Sequence, residues 1–340
     1  MKRPQPRLLR LLTPKRSVSI IGTGSYVPKR VVTNADLEKL VDTTNEWIVS
    51  RTGIKERRIA AEDEYTSDMA THAARAAIEQ AKINPEEIDL IIVATVTPDM
   101  SFPSTACLVQ RNIGARKAAC FDVSAACSGF VYALEIAQQF ITSHTYNTVL
   151  VIGADKLTNL VDWNDRNTCV LFGDGAGAAI LRNRAGNHGV ISTHMGSDGN
   201  FSEILSMPGG GSRFPLTKEN IHLRLNTIKM SGKEVYKQAV TAMFSAATTA
   251  LDQAGLKLDD LACIIPHQAN MRIIEALADR MKVPLDRFYI NLDRYGNTSA
   301  AAVAIALDEA NRDGRMKNGD YVLLVVFGGG LTWASSVIQW

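Results

Sequence analysis

Short, uninterrupted apolar runs recur along the chain, and each of them predicts a buried β-strand. Valine, isoleucine and leucine follow one another in these runs without polar alternation, which is typical of strands covered on both faces. The runs occupy residues 17–22, 90–94, 148–153, 176–181, 263–265 and 321–327.

Alanine-rich segments with apolar residues at helical spacing lie between these runs. Strands that alternate with such helices predict an α/β fold, in which helices cover a central sheet. The helical segments occupy residues 67–80, 128–140, 235–253, 272–278 and 300–311.

The second part of the chain repeats the first at a constant offset of 173 residues. Residues 77–93 (AIEQAKINPEEIDLIIV) align without a gap with residues 250–266 (ALDQAGLKLDDLACIIP). Alanine-rich amphipathic helices resemble one another in any case, but one offset shared by three separated segments favours a duplicated βα unit. The other two segments place 133–137 on 306–310 and 149–150 on 322–323.

The repeat predicts two halves, residues 17–185 and 186–340, after a basic tail over residues 1–16. The offset pairs Cys127 with an alanine of the second half and His267 with an alanine of the first. If the halves pack about a pseudo-twofold axis, the first half supplies a nucleophile and the second a base.

The composition favours a globular enzyme. Hydrophobic residues make up 46% and charged residues 21%, and the net charge of +2 gives no overall field that would attract nucleic acid. No window approaches the ~18 consecutive apolar residues of a membrane span. The five cysteines include no Cys-x-x-Cys pair, and no His, Cys, Asp or Glu cluster has metal-site spacing. We therefore expect a cytoplasmic protein without a metal, and without a nucleic-acid or membrane partner.

The basic tail over residues 1–16 has no acidic side chain. Arg10 splits its leucine pairs, so the unbroken apolar core of a secretory signal is missing. A loosely ordered tail is the preferred interpretation, and an organelle transit peptide or a membrane-surface helix is the alternative.

Cys127 is the best candidate nucleophile among the five cysteines. The segment FDVSAACSGFVYALEIA runs from a strand end into an apolar helix, so Cys127 lies near free backbone N–H groups and the positive end of that helix. Such a position is expected to stabilise the thiolate. The alternative is a buried small hydrophobic residue, which is the usual role of a free cysteine and the one we assign to the other four.

Two polar residues and a glycine triplet follow predicted strands or precede predicted helices. His267 ends a buried strand, where α/β folds place ligands, and Asn270 is the expected N-cap of the next helix. Asn297 also precedes a helix, so a second capping role is its alternative interpretation. The triplet at 328–330 permits close approach of backbone amides to a ligand, and a hairpin turn is the alternative.

Two further glycine patterns are not interpreted as nucleotide-binding loops. The Gly22-Thr23-Gly24 segment lacks the third glycine of a dinucleotide fingerprint. The GDGAG segment at 173–177 lacks the Lys-Ser/Thr of a phosphate-binding loop, and tight packing explains it better.

These residues lie in motifs that together resemble β-ketoacyl-acyl carrier protein synthase III, the family of initiating condensing enzymes within the thiolase superfamily. The resemblance covers residues 17–340. Its motifs are EWIVSRTGIKERR (46–58), DVSAACSGF (122–130), FGDGAGA (172–178), PHQANMRI (266–273), YGNTSAA (295–301) and FGGGLTW (327–333).

The resemblance implies a thiolase-like five-layer α-β-α-β-α fold with two duplicated halves, assembled as a homodimer. It implies an acyltransferase whose catalytic triad is Cys127, His267 and Asn297. Cys127 would accept the acyl group of a short acyl-CoA, acetyl-CoA first of all, and malonyl-acyl carrier protein would lose carbon dioxide and condense with it. The backbone N–H groups of Cys127 and Gly329 would form the oxyanion hole.

Five further positions match substrate contacts of the family. Coenzyme A would be bound by Trp47, Arg51 and Arg166, with its adenine between Trp47 and Arg166. The acidic carrier protein would dock on Lys237 and Arg272, a contact that added salt should weaken.

The acyl pocket implied by the resemblance consists of Leu157, Phe327 and a Phe102 that crosses the dimer interface. No cofactor is implied, since the coenzyme A thioester is itself a substrate. The alternative function is that of a relative with the same triad, which primes a polyketide or quinolone pathway or passes the acyl group to another acceptor.

Overall fold

The computed structural model describes residues 17–184 and 188–340 of the chain. The predicted basic tail, residues 1–16, and the predicted boundary between residues 185 and 186 lie outside this part. The division into halves over 17–185 and 186–340 therefore stays a prediction.

The described residues form thirteen β-strands and ten α-helices, and every strand and helix predicted from the apolar pattern is among them. The strands are β1 (Ser17–Tyr26), β2 (Arg30–Thr33), β3 (Glu56–Ile59), β4 (Leu90–Ala94), β5 (Ala119–Val123), β6 (Thr148–Lys156), β7 (Asp174–Arg184), β8 (Gly189–Ser197), β9 (Leu205–Ser206), β10 (Lys229–Met230), β11 (Leu261–Pro266), β12 (Tyr321–Gly328) and β13 (Thr332–Gln339). The helices are α1 (Asn34–Leu37), α2 (Asn45–Thr52), α3 (Thr66–Ala81), α4 (Thr105–Ile113), α5 (Gly129–Thr142), α6 (Arg166–Cys169), α7 (Gly232–Ala254), α8 (Met271–Met281), α9 (Leu292–Tyr295) and α10 (Ala300–Arg312).

Five strands form a mixed sheet in the order β1-β7-β6-β4-β5. β4 pairs in parallel with β5 and β6, whereas β7 runs antiparallel to β6 and β1. Every residue of β4 and β6 is buried, as their unbroken apolar runs predict, because helices cover both faces of the sheet. The edge strand β5 is half-buried or exposed along its whole length.

A second sheet, in the order β11-β12-β13-β8, repeats the first. Read from β8, the order β8-β13-β12-β11 matches β1-β7-β6-β4 of the first sheet strand by strand. The directions match as well, since β11 and β12 are parallel and β13 is antiparallel to both of its neighbours. In place of a fifth strand corresponding to β5, the second sheet has a single parallel β-bridge between Ile264 of β11 and Phe288. The repeat extends to helix ends: α3 ends at the left-handed Lys82 and α7 at the left-handed Gly255, which are 173 residues apart.

Three helix layers alternate with the two sheets. α3 and α4 pack on the outer face of the first sheet, α5 and α10 lie between the sheets, and α7 and α8 cover the outer face of the second. Each helix layer has its own apolar core. This is the five-layer, duplicated fold that the resemblance implies. No helix within residues 17–184 or 188–340 is both long and apolar enough to cross a bilayer.

The apolar pattern misses β8 and β13 because polar residues interrupt both strands. β8 lies at a sheet edge with several exposed residues. In β13, Ser335 is fully buried, but its hydroxyl donates to the carbonyl of Leu324, so no polar group is left unsatisfied. The glycine triplet at 328–330 joins β12 to β13, and the hairpin interpretation is correct for its backbone.

Two glycines outside the active site are required by close packing. A Cβ on Gly24 would lie 2.4 Å from the carbonyl oxygen of Ala73 in α3. A Cβ on Gly177 would lie 2.5 Å from the Cβ of Ala304 in α10. Tight packing is therefore the correct interpretation of the GDGAG segment, and it also explains the glycines after the first apolar run.

Candidate active site

A cavity of about 940 Å³ is lined by all three residues of the predicted triad, Cys127, His267 and Asn297. The helices that follow Cys127 and Asn297 begin side by side, because a Cβ on Gly129 of α5 would lie 3.6 Å from the Cβ of Ala300 in α10. Residues from both predicted halves thus meet at one site.

Cys127 lies in a tight turn between β5 and α5, where the preceding Ala126 has a left-handed φ of 46°. The thiol is almost completely buried, and burial raises the pKa of Cys127 to about 12. The Ser299 hydroxyl and the Cys127 backbone amide counter this effect only in part, and the Asp155 carboxylate adds to it. The sequence-based expectation of a stabilised thiolate is therefore wrong, because desolvation outweighs the two contributions that lower the pKa.

His267 lies directly beyond β11, and its backbone N–H donates to the carbonyl of Val325 at 2.8 Å. Burial lowers the pKa of His267 to about 4, so the ring is neutral at physiological pH. Its Nδ1 has no hydrogen-bond partner among the described residues. Since no acceptor faces Nδ1, the tautomer with the proton on Nε2 is favoured. Asn270 caps α8 as predicted, accepting the backbone N–H of Arg272 at 2.9 Å.

Asn297 is held by its own backbone and by its side-chain oxygen. Its backbone N–H donates to the carbonyl of Leu171 at 2.8 Å, and its carbonyl accepts the N–H of Gly173 at 3.1 Å. The side-chain oxygen Oδ1 accepts the backbone N–H of Ser299 at 2.9 Å, which leaves the amide nitrogen Nδ2 as a free donor. Ser299, rather than Asn297, is the N-cap residue of α10, so the capping interpretation of Asn297 is wrong.

The glycine triplet lies against the backbone of the nucleophile. A Cβ on Gly328 would lie 2.7 Å from the backbone nitrogen of Cys127 and 3.1 Å from that of Ser128. Gly329 follows at the cavity wall. Cys127 and Gly329 thus both line the cavity, and the oxyanion hole formed by their backbone amides stays a prediction.

Comparisons with known proteins agree with this arrangement. The family models for 3-oxoacyl-[acyl-carrier-protein] synthase III and for its C-terminal part match residues 121–199 and 251–340. The β-ketoacyl-[acyl-carrier-protein] synthase III of Caldanaerobacter subterraneus subsp. tengcongensis is 57% identical over 326 residues, which are 96% of this chain and 98% of the relative. The chain belongs to the β-ketoacyl-[acyl-carrier-protein] synthase III family. It is therefore a condensing acyltransferase with the thiolase fold.

Solved structures of the family superpose on nearly the whole chain. The synthase III of Aquifex aeolicus has a TM-score of 0.89 at 49% identity and covers 95% of this chain and 100% of its own. A priming β-ketosynthase from a polyketide biosynthetic pathway also has a TM-score of 0.89, at 38% identity, and covers 96% of this chain and 97% of its own.

The predicted coenzyme A residues cluster beside the cavity. The guanidinium carbons of Arg51 and Arg166 lie 4.7 and 5.1 Å from the centre of the Trp47 ring, and Arg166 also donates to the carbonyl of Asp42 at 2.9 Å. A single stacking contact already takes up roughly 4.5–7 Å between centres. An adenine between Trp47 and Arg166 would stack on both of them, so the 5.1 Å between Arg166 and the Trp47 ring leaves no room for it unless Arg166 moves outward. The predicted adenine sandwich stays a prediction.

Two of the three predicted acyl-pocket residues, Leu157 and Phe327, line the cavity and are buried. Phe102 is not among the lining residues of the single chain, and 84% of its side chain is exposed. An exposed Phe102 agrees with a role across a dimer interface, but the single chain does not test that role.

The two predicted carrier-protein residues lie on adjacent helices. Lys237 is exposed on α7, and Arg272 is exposed on α8 and lines the cavity. Arg272 also donates from Nε and Nη2 to the carbonyl of Ser50 in α2, at 3.2 and 3.0 Å. Arg272 therefore connects the predicted docking patch to the helix that carries Trp47 and Arg51.

Sequence reasoning assigned no role to Arg57, which is completely buried. Its guanidinium donates to the carbonyls of Val32 and Val170 and to Asn34, and no carboxylate pairs with it among the described residues. Burial lowers the pKa of Arg57 to about 10. By holding the carbonyl of Val170, Arg57 supports the segment that bonds to Asn297. The motif that contains Arg57 was visible in the sequence, but its burial was not.

Sequence reasoning also missed Asp155 and Ser299. An acidic residue two positions after the apolar run at 148–153 is a signal, because strand ends carry the functional residues of α/β folds. No group of three or more His, Cys, Asp or Glu side chains in the described parts of the chain is placed to hold a metal ion.

Proposed function

We propose that the protein initiates fatty acid synthesis, by joining the acyl group of a short acyl-CoA, acetyl-CoA first of all, to malonyl-acyl carrier protein with loss of carbon dioxide. The observation that carries the proposal is the shared cavity of Cys127, His267 and Asn297 in a chain of this family. The relatives named β-ketoacyl-[acyl-carrier-protein] synthase III support the same reaction.

In the first half-reaction the Cys127 sulfur attacks the thioester carbonyl of the acyl-CoA. The carbonyl oxygen becomes an oxyanion, and the tetrahedral intermediate collapses to an acyl-cysteine. The departing coenzyme A thiolate takes up the proton that the Cys127 thiol has lost and leaves as free coenzyme A. The backbone N–H groups of Cys127 and Gly329 are proposed to stabilise that oxyanion, and a lost donor of this kind typically costs 10²–10³-fold in rate.

In the second half-reaction the malonyl thioester loses its carboxylate as carbon dioxide, and the electron pair forms an enolate. His267 Nε2–H and Asn297 Nδ2 are proposed to donate to the enolate oxygen. Both donors are uncharged, His267 because of its burial, so the enolate keeps the reactivity it needs. Its carbon attacks the acyl-cysteine, and Cys127 leaves as a thiolate. Phe327, buried in the same wall, is proposed to keep water from the malonyl carboxylate.

Two assays separate the half-reactions. With radiolabelled acetyl-CoA, the wild-type protein and the His267→Ala and Asn297→Ala variants should take up label, and Cys127→Ser should not. With malonyl-acyl carrier protein, the two alanine variants should release little carbon dioxide. Stoichiometric labelling of Cys127→Ser, or acylation blocked by His267→Ala, would contradict the assigned roles.

A polyketide-priming synthase is the second candidate, because the priming β-ketosynthase found by comparison is 38% identical over nearly the whole chain. A panel of straight, branched and aromatic acyl-CoA primers distinguishes the two. Carbon dioxide release that is fastest with acetyl-CoA supports the first proposal. Faster release with a longer or aromatic primer favours the second.

We propose a homodimer that forms along the edge strand β5. The outer edge of β5 has no partner strand among the described residues, its side chains are half-buried, and Phe102 is 84% exposed. Light scattering should give twice the chain mass, and Phe102→Ala should extend the range of accepted primers. A monomer that is fully active at assay concentration would overturn this proposal.

We propose a cytoplasmic location and a reaction that needs no cofactor besides its thioester substrates. All five cysteines are free, which suits a reducing compartment. Activity that persists after dialysis against a metal chelator supports the second part, and restoration by an added metal would refute it.

A further inference from the structure

The side chain of Gln268 fixes the chain around His267, the first of the two proposed enolate donors. Gln268 directly follows His267 and is almost completely buried. Its amide nitrogen Nε2 donates to the carbonyl of Pro266 at 2.8 Å and to that of Tyr289 at 3.1 Å. Its oxygen Oε1 accepts the backbone N–H of Asn291 at 3.0 Å. Three hydrogen bonds therefore tie the turn that carries His267 to the segment before α9.

That segment leads to Asn297, the second proposed donor. Asn291 is buried directly before α9, and Asn297 follows α9 after a single glycine. The side chain of Asn291 donates from Nδ2 to Oε2 of Glu309 in α10 at 2.9 Å. The hydroxyl of Tyr295, the last residue of α9, donates to Oε1 of Glu309 at 2.5 Å. Glu309 thus holds both ends of the short helix that precedes Asn297.

Arg294 completes the contacts of the Glu309 carboxylate. Its guanidinium donates from Nη2 to Oε2 at 2.7 Å and from Nη1 to Oε1 at 3.3 Å. Each oxygen of Glu309 therefore accepts at least two hydrogen bonds, and those from Arg294 are charge-assisted. A carboxylate held in this way is a fixed point to which α9 is attached.

The two proposed donors need such a connection because they lie in separate loops. Both can donate to one oxygen only if each stands roughly 2.7–3.1 Å from it. The backbone N–H of His267 donates to Val325, whereas that of Asn297 donates to Leu171, so these bonds do not join one loop to the other. The path of side-chain hydrogen bonds from His267 to Asn297 runs through Gln268 and Glu309.

We propose that Gln268 and Glu309 are positioning residues, which through Asn291 hold His267 and Asn297 at the separation that lets both donate to one enolate oxygen. Neither Gln268 nor Glu309 lines the cavity, so both act through the two donors rather than on the substrate. This inference rests on the proposed roles of His267 and Asn297 in the loss of carbon dioxide.

Gln268→Met tests the first link, because methionine has a similar length and volume but cannot make the three hydrogen bonds. A small misplacement of a reacting group is expensive, so we expect kcat for carbon dioxide release to fall about tenfold, at an unchanged KM for malonyl-acyl carrier protein. Acyl labelling of Cys127 by acetyl-CoA should keep its wild-type rate, since it does not use the enolate donors.

Gln138→Met is the matched control for this variant. The side chain of Gln138 in α5 also donates to a backbone carbonyl, that of Val190 at 3.0 Å, and it lies outside the cavity. Gln138→Met should leave both half-reactions unchanged. The comparison separates the loss of a glutamine side-chain contact in general from the loss of the contact beside His267.

An exchange of two side chains tests the second link. Glu309→Gln removes an acceptor from a group that serves several donors, and Asn291→Asp places a carboxylate against that of Glu309. Each single variant should lower carbon dioxide release about tenfold, again with little effect on acyl labelling. In Asn291→Asp/Glu309→Gln the new amide donates to the new carboxylate, and its oxygen still accepts the Tyr295 hydroxyl. The double variant should therefore recover to within about threefold of the wild type, whereas independent damage at two sites would add up.

Both assays are expressed per mole of folded protein, measured by circular dichroism. If Gln268→Met does not fold, the exchange pair decides alone. The proposal is wrong if Gln268→Met releases carbon dioxide like the wild type or loses acyl labelling to the same extent. It is also wrong if the double variant is no faster than its two single variants. Failure of the proposed function would appear differently, as carbon dioxide release that survives in His267→Ala and Asn297→Ala.

Discussion

Gly328 packs against the backbone of Cys127 so closely that no side chain fits between them. A Cβ at residue 328 would lie 2.7 Å from the Cys127 backbone nitrogen, which is closer than real Cβ contacts come. The contact joins the end of β12 to the turn before α5. The second half of the chain thereby fixes the amide that is proposed to stabilise the oxyanion.

Gly328→Ala should displace the Cys127 amide, because the neighbouring atoms are backbone and cannot turn aside. We expect kcat for acyl transfer to fall by about 10²-fold or more, the usual effect of losing one oxyanion donor. Gly199→Ala is the matched control, since nothing lies within 4 Å of its added Cβ. Both rates can be measured by coenzyme A release. Wild-type rates for Gly328→Ala would mean that this amide is not part of the oxyanion hole.

The burial of His267 makes the stability of the protein depend on pH. Its pKa is about 4 in the folded protein and 6.5 in an unfolded chain, so between these values the unfolded chain binds the extra proton. His267 therefore lowers the free energy of unfolding as the pH falls through this window. Between pH 7 and pH 4.5 the wild type should therefore lose about 2–3 kcal/mol more of its free energy of unfolding than His267→Gln does.

Urea unfolding at the two pH values measures this difference. Asn297→Ala, which changes the same cavity without removing a titratable group, should follow the wild-type pH dependence. Parallel losses in the wild type and in His267→Gln would mean that His267 is not held neutral by burial.

Arg57→Lys should destabilise the protein, because one ammonium group cannot reach the separate acceptors that the guanidinium joins. We expect the free energy of unfolding to fall by about 2–4 kcal/mol. Carbon dioxide release should fall more than acyl labelling. Arg57 holds the carbonyl of Val170, and the carbonyl of the next residue, Leu171, accepts the backbone N–H of Asn297. Arg58→Lys, at the half-buried neighbour, is the control for denaturation and for both assays. Equal losses in the two half-reactions would limit Arg57 to a role in stability.

Lys237→Glu is the cleanest test of the carrier-protein patch. It should raise KM for malonyl-acyl carrier protein several-fold and leave KM for acetyl-CoA unchanged, and added salt should reduce the difference. Arg272→Glu should raise both KM values, because Arg272 also bonds to the helix that carries Trp47.

Lys317→Glu makes the same charge change just before β12, at the end of that strand opposite to Phe327, and should change neither KM. If Lys237→Glu and Lys317→Glu have the same effect on KM for malonyl-acyl carrier protein, the patch of Lys237 and Arg272 does not bind the carrier protein.

Several features of this protein follow from local sequence. The apolar runs predict β4 and β6 because a strand covered on both faces has no polar position to interrupt it. The offset of 173 residues predicts the repeated sheets and extends to the matching ends of α3 and α7. The motifs around Cys127, His267 and Asn297 predict the triad, since each motif is a continuous stretch of chain.

Other features depend on residues that are distant in the sequence and meet only in the fold. Cys127 lies at the start of a helix, which by itself favours a thiolate, but burial under both halves raises its pKa to about 12. Ser299 and Cys127 come from separate segments but line one cavity, and Asp155, from a third segment, accepts the N–H of Ala300 beside it, so no local pattern could bring these residues together. Desolvation is set by everything that surrounds a group. For that reason the sequence by itself predicted which residues take part in the reaction, and only the tertiary structure decided the direction in which burial shifts their pKa.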